Sequence, residues 1–140
     1  MDENKTNTMT LEFIDKDLNT IISMSDFIHT KEYVDYYTIC LKIKFDCFYA
    51  QKKIDIELSE FINFYNSLER IQLYNKPNEF YLFQLDNYFE MHFINFNGNE
   101  LKIEVSLYSV NYIGKLHFNF FMSKKEIFRL NMKIKDIINI

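Results

Sequence analysis

Between Tyr88 and Met122 the chain alternates apolar and polar residues so strictly that it specifies an antiparallel sheet with one buried face. The stretch reads YFEMHFINF, a turn at Asn97-Gly98-Asn99, ELKIEVSLYS, a loop at Asn111–Gly114, and then KLHFNFFM. Asn-Gly between two alternating runs is a strong short-range hairpin signal. Leu101, Ile103, Val105 and Leu107 point one way, and Lys102, Glu104, Ser106 and Tyr108 point the other. In the third run Leu116, Phe118, Phe120 and Met122 oppose Lys115, His117, Asn119 and Phe121.

Two helices flank this meander in sequence. Ser59 is placed to cap the first, and Phe61, Phe64, Tyr65, Leu68, Ile71 and Gln72 give it one buried stripe. It ends near Tyr74, ahead of Asn75-Lys76-Pro77, because proline disfavours helix in the residue before it. Ser123-Lys124-Lys125-Glu126 reads as a capping box for the second, whose stripe is Ile127, Leu130, Ile134, Ile137 and Ile138. Glu79–Leu85, apolar on both faces, suits a central strand.

Upstream, Thr10–Ile14 and Ile21–Met24 are strand candidates around a turn at Asp15–Asn19, and Ser25–Asp35 has no clear period. Tyr36–Cys47 is a long strand, Phe48–Lys52 a break, and Lys53–Leu58 a further strand. Residues 1–8 read as a disordered lead, and 9–140 as a single α+β domain. The expected architecture is a curved antiparallel sheet of about six to eight strands, with helices at about 59–74 and 123–138 packed on one face.

A chain of 140 residues buries about 68% of the surface its unfolded form exposes. Aromatic residues make up 18%, carried by 15 Phe and 10 Tyr with no Trp. With only 2 Gly and 1 Pro, Gly-rich phosphate loops are ruled out. The net charge of −4 and pI near 5.4 argue against nucleic acid as a partner, which asks for a basic stripe. There is no long apolar run for a membrane span and no signal-peptide pattern in MDENKTNTMT, so the expected location is cytoplasmic. Cys40 and Cys47, in one strand and on opposite faces, are expected to stay reduced and structural.

Catalytic chemistry is looked for and not found. His29, His92 and His117 are scattered, with no spacing that makes a metal site. No nucleophile elbow, dinucleotide fingerprint, Walker sequence or Cys-x-x-Cys is present. Glu90 and Glu104 face each other across neighbouring strands, but an open sheet face does little to split two carboxylate pKa values. The expectation is a non-enzyme without cofactor or metal. The outer face of the meander is the more informative feature, and its candidate partner-binding residues are Tyr88, Glu90, His92, Lys102, Glu104, Tyr108, His117, Asn119 and Phe121. Tyrosine favours interfaces because it joins apolar area to a polar tip.

Three runs carry a resemblance: TICLKIKFDCFYAQKKIDIELSEFINFYNSLERI, EFYLFQLDNYFEMHFI and GKLHFNFFMSKKEIFRLNMKIKDII. With Leu58-Ser59 opening one helix and Phe121-Met122-Ser123 the other, the chain resembles the WapI-type immunity proteins of bacterial polymorphic toxin systems. The resemblance implies a non-catalytic inhibitor that occludes a secreted toxin, whose catalytic domain is often basic. The contact surfaces it implies are the exposed sheet face and acidic loops at Asp15, Asp17, Glu32 and Asp35, in a monomer or homodimer. Two other readings stay open: a small-ligand-binding domain with an aromatic-lined pocket, and a structural or adaptor protein of a larger assembly.

Overall fold

The computed structural model describes residues 3–83, 89–108 and 115–139. The chain runs β1 (Glu3–Asn7), β2 (Leu11–Ile14), β3 (Thr20–Lys31), β4 (Asp35–Phe45), β5 (Phe48–Glu57) and α1 (Leu58–Tyr74), then β6 (Glu79–Leu82), β7 (Phe89–Asn97), β8 (Glu100–Tyr108), β9 (Lys115–Ser123) and α2 (Lys124–Ile138). The fold is α+β and antiparallel with two helices, as the patterning expects. Its strands divide into two sheets rather than one curved layer. The first is ordered β1-β3-β4-β5, with β2 also on β3, and the second β6-β7-β8-β9.

The residues expected to form a disordered lead instead supply β1, which pairs with the far half of β3 from Asn7↔Phe27 to Glu3↔Lys31. β2 occupies the near half, from Leu11↔Met24 to Ile14↔Thr20. Between the two lies a bulge, where Asp26 takes a left-handed backbone (φ 54°) and the register with β4 shifts between Ser25 and Ile28. This bulge breaks the period of two, which is why Ser25–Asp35 looks patternless in sequence.

The expected break at Phe48–Lys52 does not exist. β4 and β5 form an unbroken hairpin closed by Phe45↔Phe48, with Asp46 left-handed (φ 56°) in the turn. Cys47 is therefore an exposed turn residue, not part of a strand face, and Cys40 is half-buried; both are free thiols. β6, expected to be central, is an edge strand that pairs only β7 in the second sheet.

Both helices end on an asparagine in the left-handed region, Asn75 and Asn139, whose N–H groups bond back to Ile71 and Lys135. Ser59 is not the cap of α1. Glu57 holds that position with no side-chain cap, while Glu60 in the first turn accepts from the Phe83 N–H at 2.8 Å. The capping box of α2 is half made: Ser123 Oγ accepts from the Glu126 N–H at 3.3 Å. The Glu126 carboxylate is buried and accepts from Arg129 at 2.6 Å instead.

The inner faces of both sheets and the helix stripes meet in one hydrophobic cluster. α1 lies on β4, β5 and β6 and against α2, which in turn lies on β2 and β9. Rings join the layers: Phe27 stacks on Phe61 at 6.0 Å, Phe13 meets Phe93 at 6.3 Å, and Phe45 stacks on Phe118 at 4.4 Å. Phe64 of α1 packs against the stacked pair Phe80 and Phe93 of the second sheet, 5.8 and 5.0 Å from the two rings, which lie 4.9 Å apart. Phe64→Ala removes that contact and is expected to cost about 3–5 kcal/mol, read as a lower urea midpoint at unchanged slope. A loss below about 1 kcal/mol would mean the helix is not fixed to the second sheet through this ring.

Candidate functional site

Parity along the meander places eight of the nine candidate partner-binding residues on the outer face of the second sheet, and the ladder sets their order. One row runs Tyr81, His92, Glu104, Asn119; the next runs Glu79, Ile94, Lys102, Phe121. On the other side come Glu90, Ser106 and His117, then Tyr108 and Lys115. Tyr88 and the loop at Asn111–Gly114 lie outside the described residues.

This face is largely satisfied by its own members. The His92 ring sits between two carboxylates, 3.1 Å from Glu104 through Nδ1 and 3.1 Å from Glu79 through Nε2, and stacks on Tyr81 at 4.3 Å. Desolvation, with the carboxylates of Glu90, Glu79 and Glu104, raises the Tyr81 phenol above its ordinary value. Ser106 Oγ and His117 Nδ1 are 3.0 Å apart, and Lys102 reaches Glu104 at 3.9 Å. The remaining cations lie over rings, Lys115 above Tyr108 at 5.5 Å and Lys16 above Phe121 at 5.3 Å. Phe96, put out of register by a bulge between Asn95 and Asn97, packs edge-on to Phe121 at 5.1 Å and stays exposed.

The outer face of the first sheet is built differently, and sequence reasoning passed over it. Lys42 and Lys44 alternate along β4, and the hairpin register sets them opposite Gln51 and Tyr49 of β5, with Lys53 opposite Cys40. All three lysines are exposed, and none has an ion pair or hydrogen bond among the described residues. Tyr49 is 59% exposed and donates to Gln51 Oε1 at 3.0 Å, and the Gln51 amide donates to Cys40 Sγ at 3.4 Å. Acidic groups on β5 begin only further from the turn, at Asp55, which accepts from Thr38 at 2.8 Å, and at Glu57. The signal was present in the alternating Lys-Ile-Lys of β4, but placing Lys53 beside it needs the length of the turn.

Where this strip reaches the β4–β5 turn it opens onto a cleft of about 550 Å³ lined by Asp15, Asn19, Thr20, Ile21, Lys44, Phe45 and Asp46. Asp15 Oδ1 is already used inside the β2–β3 turn, accepting from the N–H groups of Asp17 (3.0 Å) and Asn19 (2.8 Å). Of the other acidic loop residues, Asp35 opens β4 and lies 3.9 Å from His29. Among the described residues no three His, Cys, Asp or Glu side chains converge as a metal site.

No family model matches the chain, and no curated protein matches it in sequence. Two solved structures are similar to it. The trypanosome MRP1/MRP2 proteins are 8% identical, with 99% of this chain and 83% of that one covered at a TM-score of 0.49. A guide-RNA-binding protein complex bound to a guide RNA is 7% identical, with 96% and 91% covered at a TM-score of 0.52. The resemblance to WapI-type immunity proteins is therefore corrected, and the toxin-neutralising function and toxin partner it implied fall with it. The strand, helix-cap and meander pattern on which it rested belongs to strands-then-helix α+β chains in general. What the chain shares, over nearly its whole length, is the fold of the guide-RNA-binding complex.

Proposed function

We propose that the chain binds single-stranded nucleic acid, RNA in the first place, along the outer face of the first sheet. The observation that carries this reading is the strip of Lys42, Lys44 and Lys53 beside the exposed Tyr49, three cations on one face with no anion of their own among the described residues. Binding to single strands combines cations that follow the phosphates with aromatic rings on which bases stack. The outer face of the first sheet offers both, with Tyr49 as the ring and the three lysines as the cations. The fold held in common with a guide-RNA-binding complex supports the choice of RNA.

The net charge of −4, taken above as an argument against nucleic acid, is corrected on this point. Association with a polyanion depends on the potential over the contact surface, and screening confines each charge to about 8–10 Å at ordinary ionic strength. Acidic groups on the opposite sheet and helices do not cancel a local strip of lysines.

Three phosphate contacts on a single strand give a salt slope of about −2, so affinity for a labelled uridine-rich strand should fall roughly twentyfold from about 50 to 200 mM salt. Lys42→Ala, Lys44→Ala and Lys53→Ala together should abolish most of that binding and flatten the slope. Unfolding should move by less than about 0.5 kcal/mol per substitution, as for exposed sites. Unchanged affinity in the triple variant would overturn the assignment of this face.

A second reading concerns the second sheet, whose outer face we infer to be a contact for another protein chain in an assembly. Its support is the exposed aromatic set of Tyr81 and Phe96 beside Phe121, together with the neighbour's being a protein complex. The untreated protein should elute in a larger species from an extract of its native cells, and Phe96→Glu should return it to the size of the free chain. Elution of both at that smaller size argues against the contact.

A further inference from the structure

The cleft at the end of the lysine strip joins features that the phosphate contacts leave unused. Lys44 belongs to both strip and cleft, so a strand following the lysines towards the β4–β5 turn arrives at the cleft mouth. At about 550 Å³ the cleft falls within the roughly 300–1,000 Å³ of small-ligand sites. Its apolar side is Ile21 and Phe45, and Phe45 is held by its stack on Phe118 at 4.4 Å. Its polar side carries the acidic residues Asp15 and Asp46 with Asn19 and Thr20, whose hydroxyl already donates to Glu12 at 2.9 Å. Asp46 is exposed on the turn in a left-handed backbone, and its carboxylate has no partner among the described residues.

We propose that this cleft receives one unstacked base of the bound strand and selects guanine. The inference rests on the reading of the first sheet as a single-strand platform. RNA is recognised in sequence mainly through splayed bases that lie on aromatic side chains and are read along their Watson–Crick edges. Guanine presents two adjacent donors there, N1–H and the N2 amine, and a carboxylate accepts both at once. Its O6 acceptor suits the ammonium of Lys44, which also lines the cleft. Uracil offers one donor between two carbonyl oxygens, which a carboxylate repels. Adenine and cytosine each place a ring acceptor beside their amine, so neither satisfies both carboxylate oxygens. Asp46 supplies the reading carboxylate, since one oxygen of Asp15 is committed to its own turn.

The test compares labelled strands of about twelve nucleotides, a length that spans a typical single-strand site. One is all uridine, and the others carry one central guanosine, inosine or adenosine. Guanosine should bind about tenfold more tightly than uridine, the scale of one good bidentate contact. Inosine, which lacks the N2 amine, should lose most of the gain. Asp46→Asn should bring guanosine and uridine to equal affinity while binding to the all-uridine strand is retained. In a Cys40→Ser background, alkylation of the exposed Cys47 beside Asp46 should slow with the guanosine strand and not with uridine. Equal affinity for every strand, or a guanosine preference that survives Asp46→Asn, overturns this proposal alone. Absence of binding to any strand overturns it together with the platform reading.

Discussion

Everything the surface offers depends on how the aromatic residues are buried. The two sheets and two helices share one core in which rings from different layers are in contact, Phe27 on Phe61, Phe13 on Phe93, Phe45 on Phe118 and Phe64 on the stacked Phe80 and Phe93. A buried aromatic ring removes more apolar area from water than any aliphatic side chain, and edge or offset contacts add to that. With so much of the 18% aromatic content committed inward, the strands need no second apolar layer on their reverse sides. Each sheet therefore keeps an outer face on which polar and charged residues carry no packing duty.

Those two outer faces have opposite electrostatic characters, although each mixes acids and bases. On the second sheet the charges answer one another: His92 is held between Glu79 and Glu104, Lys102 lies near Glu104, and Lys16 and Lys115 lie over rings. An approaching anion gains little there, because the cations are already engaged and three glutamates stand among them. On the first sheet the three lysines lie near the β4–β5 turn, where Asp46 shares the cleft with Lys44 but makes no ion pair with it, and the acids of β5 stand further along, so the cations remain available. Segregation along a strand, rather than the count of charges, separates a surface that is satisfied from one that attracts a polyanion.

The second sheet is the part of the fold most legible in the sequence. Asn97-Gly98 marks its turn, and Asn97 Oδ1 accepts from the N–H groups of Asn99 and Glu100 at 2.9 and 3.0 Å. Parity then assigns each meander residue to a face. The first sheet is harder to read because its key backbone features fall on residues without a glycine signal. Asp26 bulges β3 and Asp46 turns β4 into β5, both with positive φ; aspartate visits that region more readily than most residues, but neither Ser-Asp-Phe nor Phe-Asp-Cys-Phe carries a glycine to mark it. The same holds for the sites. Eight face residues follow from alternation alone, whereas the clamp on His92 needs the register of β6, which brings Tyr81 opposite His92 and Glu79 within reach. The lysine strip needs a turn length that the sequence does not declare.

The β4–β5 hairpin links these levels, since its end belongs at once to the core, the strip and the cleft. Phe45 continues the buried face of β4 onto Phe118, while its neighbour Lys44 points to the open face opposite Tyr49. Alternation makes these two roles inseparable: a shift of one residue in register would expose the phenylalanine and bury the lysine. The stack that holds the hairpin to the second sheet thereby fixes the direction of the lysines and the wall of the cleft. The proposed nucleic-acid contact on this face would thus draw its geometry from the apolar packing beneath it.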